Sequence, residues 1–234
     1  MTPILVLLFG HAPAVAVGTD LWFAALTKSA GSVLHHSRGT VDWEVLRRLW
    51  LGSLPAALAT LLWLQVTGFG KQGNGALLVI LGGVLLLTAL AMLFKNRIHA
   101  YGQGLRTHTP EAFKHAQPAL TVAAGAVLGF LVTLTSIGAG ALGTVMLVYL
   151  YPRRLTPARL VGTDILHAVP LTILAGTGHL LLGNVNLPLL GSLLVGSVPG
   201  VLLGSHYSSR APDRILRPLI AVVLALVGFK MVMD

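Results

Sequence analysis

The 234-residue sequence has no cysteine and few acids, seven Asp and Glu against sixteen Lys and Arg. Without thiols there are no disulfides, thiolate metal sites, iron–sulfur clusters or cysteine nucleophiles. Charged residues reach only 10%, where a soluble domain carries about 25%. No Walker A, Rossmann, HExxH or Ser/His/Asp constellation is present, so an energised pump or a hydrolase has little support. An enzyme is not expected, and neither is a cofactor or metal.

Apolar length takes the place of charge. Hydrophobic residues make up 55% of the chain and mean hydropathy is +0.82. Long, almost uncharged runs cover 44–68, 75–95, 118–151, 158–182, 187–205 and 214–233. Runs of roughly 18 or more such residues read as transmembrane helices. The net charge of +9 does not point to nucleic acid, because Lys and Arg lie between the runs or at their ends. That placement suits topology signals and anionic headgroups. The longest polar segment, Asn96–Gln117, is predicted to be a loop. Met1–Gly10 and the small residues Ala12-Pro13-Ala14 have some likeness to a signal peptide, but no cation precedes the apolar stretch.

The chain repeats itself. Val17-Gly18-Thr19-Asp20 recurs as Val161-Gly162-Thr163-Asp164, an offset of 144. The same register aligns His35 with His179 and Gly52-Ser53-x-Pro55 with Gly196-Ser197-x-Pro199. Between Pro13 and Pro55, 15 of 43 positions are identical at this offset without a gap, which marks a duplication. Shifted back by 144, Gly129–Gly143 falls before Met1, so the first copy is expected to be N-terminally incomplete.

Charge orients the copies. Three cations lie in each of His35–Arg48, Pro152–Arg159 and Ser205–Arg217, and four in Lys95–Lys114, but Leu180–Pro188 has none. Basic connections are cytoplasmic. All of them can share that side only if residues 118–151 enter the membrane and return. As one helix those residues would span about 51 Å, against a hydrocarbon core of roughly 30 Å. The run is interrupted at Ser136–Ala141 (SIGAGA). Three full crossings then separate equivalent points, which inverts the second copy. Inverted repeats with broken segments recur in secondary transporters, where non-helical backbone lines a pathway.

Asp20 and Asp164 are read as the only acids set deep in apolar sequence, the other five lying in loops or at the C-terminus, and ionisable groups at that depth carry function by default. An N-cap is the competing role. Lys28 follows Asp20 by eight residues on the same face and could offer an anion a fixed charge or snorkel to the interface. His167, three residues after Asp164, could titrate or simply be hydrogen-bonded. His35 and His179 occupy matching helix ends, where interface placement is expected. Ser136, Gly138 and Gly140 sit at the break, where small residues let backbone approach a substrate and half-helix N-termini offer free N–H groups. Tight packing is the alternative there.

These segments resemble the sulfite exporter TauE/SafE family of bacterial permeases. The matching features are the two VGTD segments, Gly39–Trp43 (GTVDW), Ser136–Gly143 (SIGAGALG), and the LGS(L/V)PG-like Leu51–Ala56 and Val195–Gly200. The resemblance implies a multi-pass carrier in the bacterial plasma (inner) membrane for sulfite, organosulfonates or related anions. The family usually opens with a glycine-rich segment equivalent to Gly129–Gly143, which is lacking here.

The expected architecture is therefore an all-α polytopic membrane protein of about seven or eight hydrophobic segments. Residues 1–97 form the first repeat, 98–117 a cytoplasmic loop and 118–234 the second repeat. Ser136, Gly138, Gly140, Thr19, Thr163 and Lys28 are expected to bind substrate; Asp20, Asp164 and His167 to couple protons or cap. The expected function is secondary transport of small anions by alternating access; the alternatives are an anion channel and a non-transporting accessory protein. The expected partners are a small anionic substrate and the lipid bilayer, without nucleic acid; a homo-oligomer is left open.

Overall fold

A computed structural model describes the backbone of residues 1–37, 39–69, 74–108, 110–208 and 213–233. Side chains are described for 1–32, 39–69, 75–95, 97, 98, 100, 114–197 and 218–233. Arg106, Arg210 and the side chain of His35 thus lie outside the described residues. The described chain is all helical: α1 (Thr2–Leu7), α2 (Pro13–Ser37), α3 (Trp43–Thr67), α4 (Asn74–His108), α5 (Pro110–Thr135), α6 (Ala141–Leu150), α7 (Pro157–Leu181), α8 (Leu187–Ser208) and α9 (Asp213–Met233).

Among the described residues, four segments are long and apolar enough to cross a membrane: Trp43–Thr67, Gly75–Lys95, Lys114–Thr135 and Pro157–Leu181. Shorter apolar stretches are Ala141–Leu150, Leu187–Ser197 and Pro218–Met233. Large apolar side chains face outward as well as inward. Val66 is 85% exposed and Leu181 84%, as a lipid-facing surface requires. Inside, Val17, Leu21, Leu81, Leu85, Val132 and Leu171 share one core. A second core joins Val45 and Leu49 to Leu147, Leu150 and Tyr151.

Two elements differ from expectation. Helix α2 is missing from the apolar runs because Asp20 and Lys28 interrupt its hydropathy, yet it is 25 residues long and packs on α7. The loop expected over 98–117 is mostly helix, since α4 continues to His108 and α5 starts at Pro110. No proline interrupts 74–109, and polar side chains do not end a helix once it has left the membrane.

The break falls where the sequence places it. Helix α5 ends at Thr135 and α6 starts at Ala141, with positive φ at Ser136 (56°), Gly138 (121°) and Gly140 (124°). The run then doubles back. Gln117 Nε2 donates to the Leu150 carbonyl at 2.5 Å, and the Thr121 and Tyr151 hydroxyls lie 2.8 Å apart. Those bonds bring the end of α6 beside the first part of α5.

Helices related by the 144 offset pack on each other, α2 on α7 and α4 on α9. Along the first pair Gly18 meets His179, Trp22 meets Gly176 and Gly31 meets Ile165, so α2 and α7 run antiparallel. The contacts are reciprocal. The Asp42 amide donates to Thr163 Oγ1 at 3.0 Å; the Asn186 amide, 144 residues on, donates to Thr19 Oγ1 at 3.1 Å. Asp42 caps α3 through the Val45 amide, and Asn186 bonds the equivalent Leu189 amide. A Cβ on Gly18 would strike the Asn184 carbonyl, and one on Gly162 the Thr40 carbonyl.

The two ends differ in charge. Arg154 donates to Asp42 from Nε at 2.7 Å and Nη2 at 2.9 Å, and from Nη2 to Glu44 at 2.6 Å. Hydrogen bonding to Asp42 pushes the Arg154 guanidinium above its ordinary range, partly offset by burial. At the equivalent end Asn186 replaces Asp42, and Gly10 stands where Arg154 would.

Helices α3 and α5 touch backbone to backbone, since a Cβ on Gly52 would strike the Val122 carbonyl and come within 2.7 Å of the Ala126 nitrogen. We expect Gly52→Ala to destabilise the fold by about 1–3 kcal/mol through overpacking. The measurement is Tm in detergent; an unchanged Tm would show that this contact yields freely.

Candidate functional site

Lys28, Asp164 and the first turn of α6 meet at the break. Lys28 extends from α2 and its Nζ donates to the Ala139 carbonyl at 3.1 Å. It therefore does not snorkel to the interface. Its ammonium lies in electrostatic range of Asp164 and Asp20. Asp164 is 5% exposed and sits over the N-terminus of α6. Its carboxylate faces the Gly140 amide, and its Oδ1 packs so closely on Gly143 that any Cβ there would collide with it.

Helix α6 begins without a side-chain cap, at Gly140. Its first bonded amides are Gly143, to Gly138, and Thr144, to Gly140. First-turn amides and the positive end of the helix dipole attract negative charge. Asp164 supplies that charge from α7, although its Oδ1 has no hydrogen-bond partner. His167, one turn on, is fully buried. Its Nε2 lies 3.0 Å from Ser53 Oγ, its carbonyl accepts from Trp50 Nε1 at 3.3 Å, and its Nδ1 is unpartnered. A cleft of about 180 Å³ between Met92, Lys95, Ala141, Thr144 and Val145 opens beside the same first turn.

The arrangement joins one cation, one carboxylate, one imidazole and a frayed helix start in a largely buried volume. It can hold a small anion against Lys28 and the α6 amides. Asp164 can then take the proton or position that balances the charge.

Several sequence expectations change. Asp20 and Asp164 are each the eighth residue of their own helix, so neither caps it. Each instead faces the start of the short helix before it: Asp20 accepts from Thr2 N at 2.9 Å and Thr2 Oγ1 at 2.7 Å, at the start of α1. Thr19 and Thr163 do not join the group, because their hydroxyls accept the Asn186 and Asp42 amides. Ser136 supplies the turn, with left-handed φ. His179 is buried at 3% exposure, with Nε2 at 2.9 Å from the Thr133 carbonyl.

Sequence reasoning missed Ser53 as a partner of His167 and Trp50 as a support of its carbonyl. The signal for Ser53 is the repeated Gly-Ser-x-Pro, which aligns it with Ser197. Gly143 belongs to the quoted SIGAGALG stretch, but only the fold sets it against Asp164.

Comparison with known proteins gives the family. The profile of the family described as Sulfite exporter TauE/SafE matches residues 1–231. The probable membrane transporter protein YjnA of Bacillus subtilis (strain 168) is 34% identical over 234 residues, covering 99% of this chain and 90% of that protein. Probable membrane transporter protein YdhB of the same organism is 26% identical, covering 96% and 87%. No solved structure gives a match. A multi-pass membrane protein with a buried polar group at a broken helix, matched by that profile over nearly its whole length, belongs to the TauE/SafE family of membrane transporters.

Proposed function

We propose that this chain carries small anions across a bacterial plasma (inner) membrane by alternating access, and that sulfite, organosulfonates and related sulfur-containing anions are its substrates. The observation that carries the reading is Lys28. Its ammonium is bonded to the Ala139 carbonyl at a helix break and lies in reach of a buried carboxylate. A cation placed on irregular backbone at membrane depth is a binding arrangement, because neither group is tolerated in lipid without a use. The sulfur chemistry comes from the description of the matched family.

Alternating access draws its support from the duplication. Equivalent helices α2 and α7 lie antiparallel, with reciprocal bonds at Thr19 and Thr163, as expected of repeats inverted about an axis in the membrane plane. The two repeats can then exchange conformations around a fixed site. The end carrying Arg153, Arg154 and Arg159 is cytoplasmic in this reading, and the Arg154–Asp42 pair ties that end.

Counterflow in proteoliposomes tests the proposal. Labelled sulfite should accumulate transiently in vesicles preloaded with unlabelled sulfite, and initial rates should saturate. Flux that rises linearly with concentration would replace the carrier by a channel. No flux of sulfite, thiosulfate or an alkanesulfonate would leave a non-transporting accessory protein.

A further inference from the structure

Among the described residues, five buried side-chain atoms lack a hydrogen-bond partner. Two belong to the site above, Asp164 Oδ1 and His167 Nδ1. The other three, Trp22 Nε1, Thr133 Oγ1 and His179 Nδ1, come from three different helices. They lie together toward the far end of α7. His179 Nε2 is 2.9 Å from the Thr133 carbonyl, which joins α7 to α5. A Cβ on Gly176, one turn before His179, would lie 3.3 Å from Trp22 Nε1. Gly18, one turn before Trp22 on α2, packs on the His179 side chain. His179 follows His167 by twelve residues, about 18 Å along the helix.

A polar group buried without a hydrogen-bond partner is costly. Three such groups around one turn of α7 call for partners, from ordered water or from a ligand. Their chemistry states what a partner must offer. A carbonyl only accepts, so His179 Nε2 carries the ring hydrogen, and in the neutral ring Nδ1 is an acceptor. Trp22 Nε1 can only donate, and the Thr133 hydroxyl can do either. One occupant of all three would accept from Trp22, donate to His179 and do either with Thr133.

We infer that Trp22, Thr133 and His179 form a second binding station for the transported anion, specific for a small oxyanion that bears a hydroxyl or carries a bound water. The inference rests on the transport reading and extends it from one site to a two-station path along α7. Neutral donors hold an anion more loosely than Lys28 does, which suits passage rather than storage. The station lies at the end opposite the Arg154–Asp42 pair, under the connection at residues 182–186 that bonds Thr19.

The test follows Trp22 fluorescence in the full-length protein, reconstituted and titrated with sulfite. A saturable change is expected in wild type and absent from Trp22→Phe, which keeps a ring but loses the N–H. Thr133→Val should raise the half-saturating concentration about tenfold, the equivalent of one lost hydrogen bond, and Thr133→Ser should restore it. Lys28→Ala should keep the Trp22 signal. Identical titrations of wild type and Trp22→Phe, or an unmoved half-saturation in Thr133→Val, would overturn the station and leave those atoms paired by ordered water alone. Sulfite counterflow on the same preparations separates the two ideas. Counterflow without a Trp22 signal removes the station and keeps the transporter. A Trp22 signal without counterflow keeps the binding site and removes transport. Absence of both removes both.

Discussion

Gly140→Leu is expected to reduce anion counterflow at least a hundredfold while leaving the protein folded in the membrane. Gly140 has φ 124° and ψ −83°, a region a side chain enters only at about 1–3 kcal/mol of strain. The backbone would relieve that strain by turning its peptide units, and the neighbouring unit carries the Ala139 carbonyl that Lys28 bonds. Lys28, the Gly140 amide and Asp164 would lose their register together. The fold should survive, because the hairpin is also tied at its other end by Gln117 and Leu150 and by Thr121 and Tyr151. Gly138→Leu should act alike: φ is 121°, and the Val132 and Leu142 side chains already lie 3.6 and 3.7 Å from where a Cβ would sit. Counterflow rates and membrane protein level, measured together, check both. Wild-type kinetics in the two variants would return this stretch to ordinary packing.

Asp164→Asn is expected to abolish accumulation against a gradient while exchange of labelled for unlabelled anion continues. The amide keeps the size of the carboxylate and removes its charge and its proton. If Asp164 carries the proton that balances the anion on Lys28, exchange needs no net proton movement and persists. Asp164→Ala should stop both, since it leaves Lys28 without its nearby carboxylate and the α6 amides without the charge that faces them. Asp20→Asn should be milder, because the Asp20 carboxylate is already bonded to Thr2 and stands at the other short helix. Parallel measurements of uphill uptake and exchange over a range of pH decide the matter. Unaltered pH dependence in Asp164→Asn would exclude the coupling role.

The duplication and the break were legible in the sequence, and so were two of the three buried acids, Asp20 and Asp164 but not Asp42. The ungapped register at an offset of 144 survives because equivalent helices must meet equivalent partners: Thr19 and Thr163 make the same bond, each to the other repeat. The break at 136–140 was legible because a run of 34 residues is too long for one crossing and only SIGAGA offers a place to turn. Lys28 was legible as a charge at an unusual depth. Its bond to a carbonyl 111 residues away was not. Nor was the pairing of His167 with Ser53, 114 residues apart, or the burial of His179.

Local patterning by itself determined the membrane class, most of the helical elements and the repeat, because hydropathy and chain length act on each segment separately. Tertiary structure alone decided which ionisable groups work together. Asp20 and Asp164 have the same four-residue motif, yet only Asp164 faces Gly140 and Gly143 at the broken helix, whereas Asp20 bonds Thr2. Thr and Asp are neighbours in that motif, and a helix turns successive residues about 100° apart. One therefore bonds the opposite repeat while the other faces the start of the short helix before it. Which does which depends on the helix packed on each side, and adjacent residues cannot encode that.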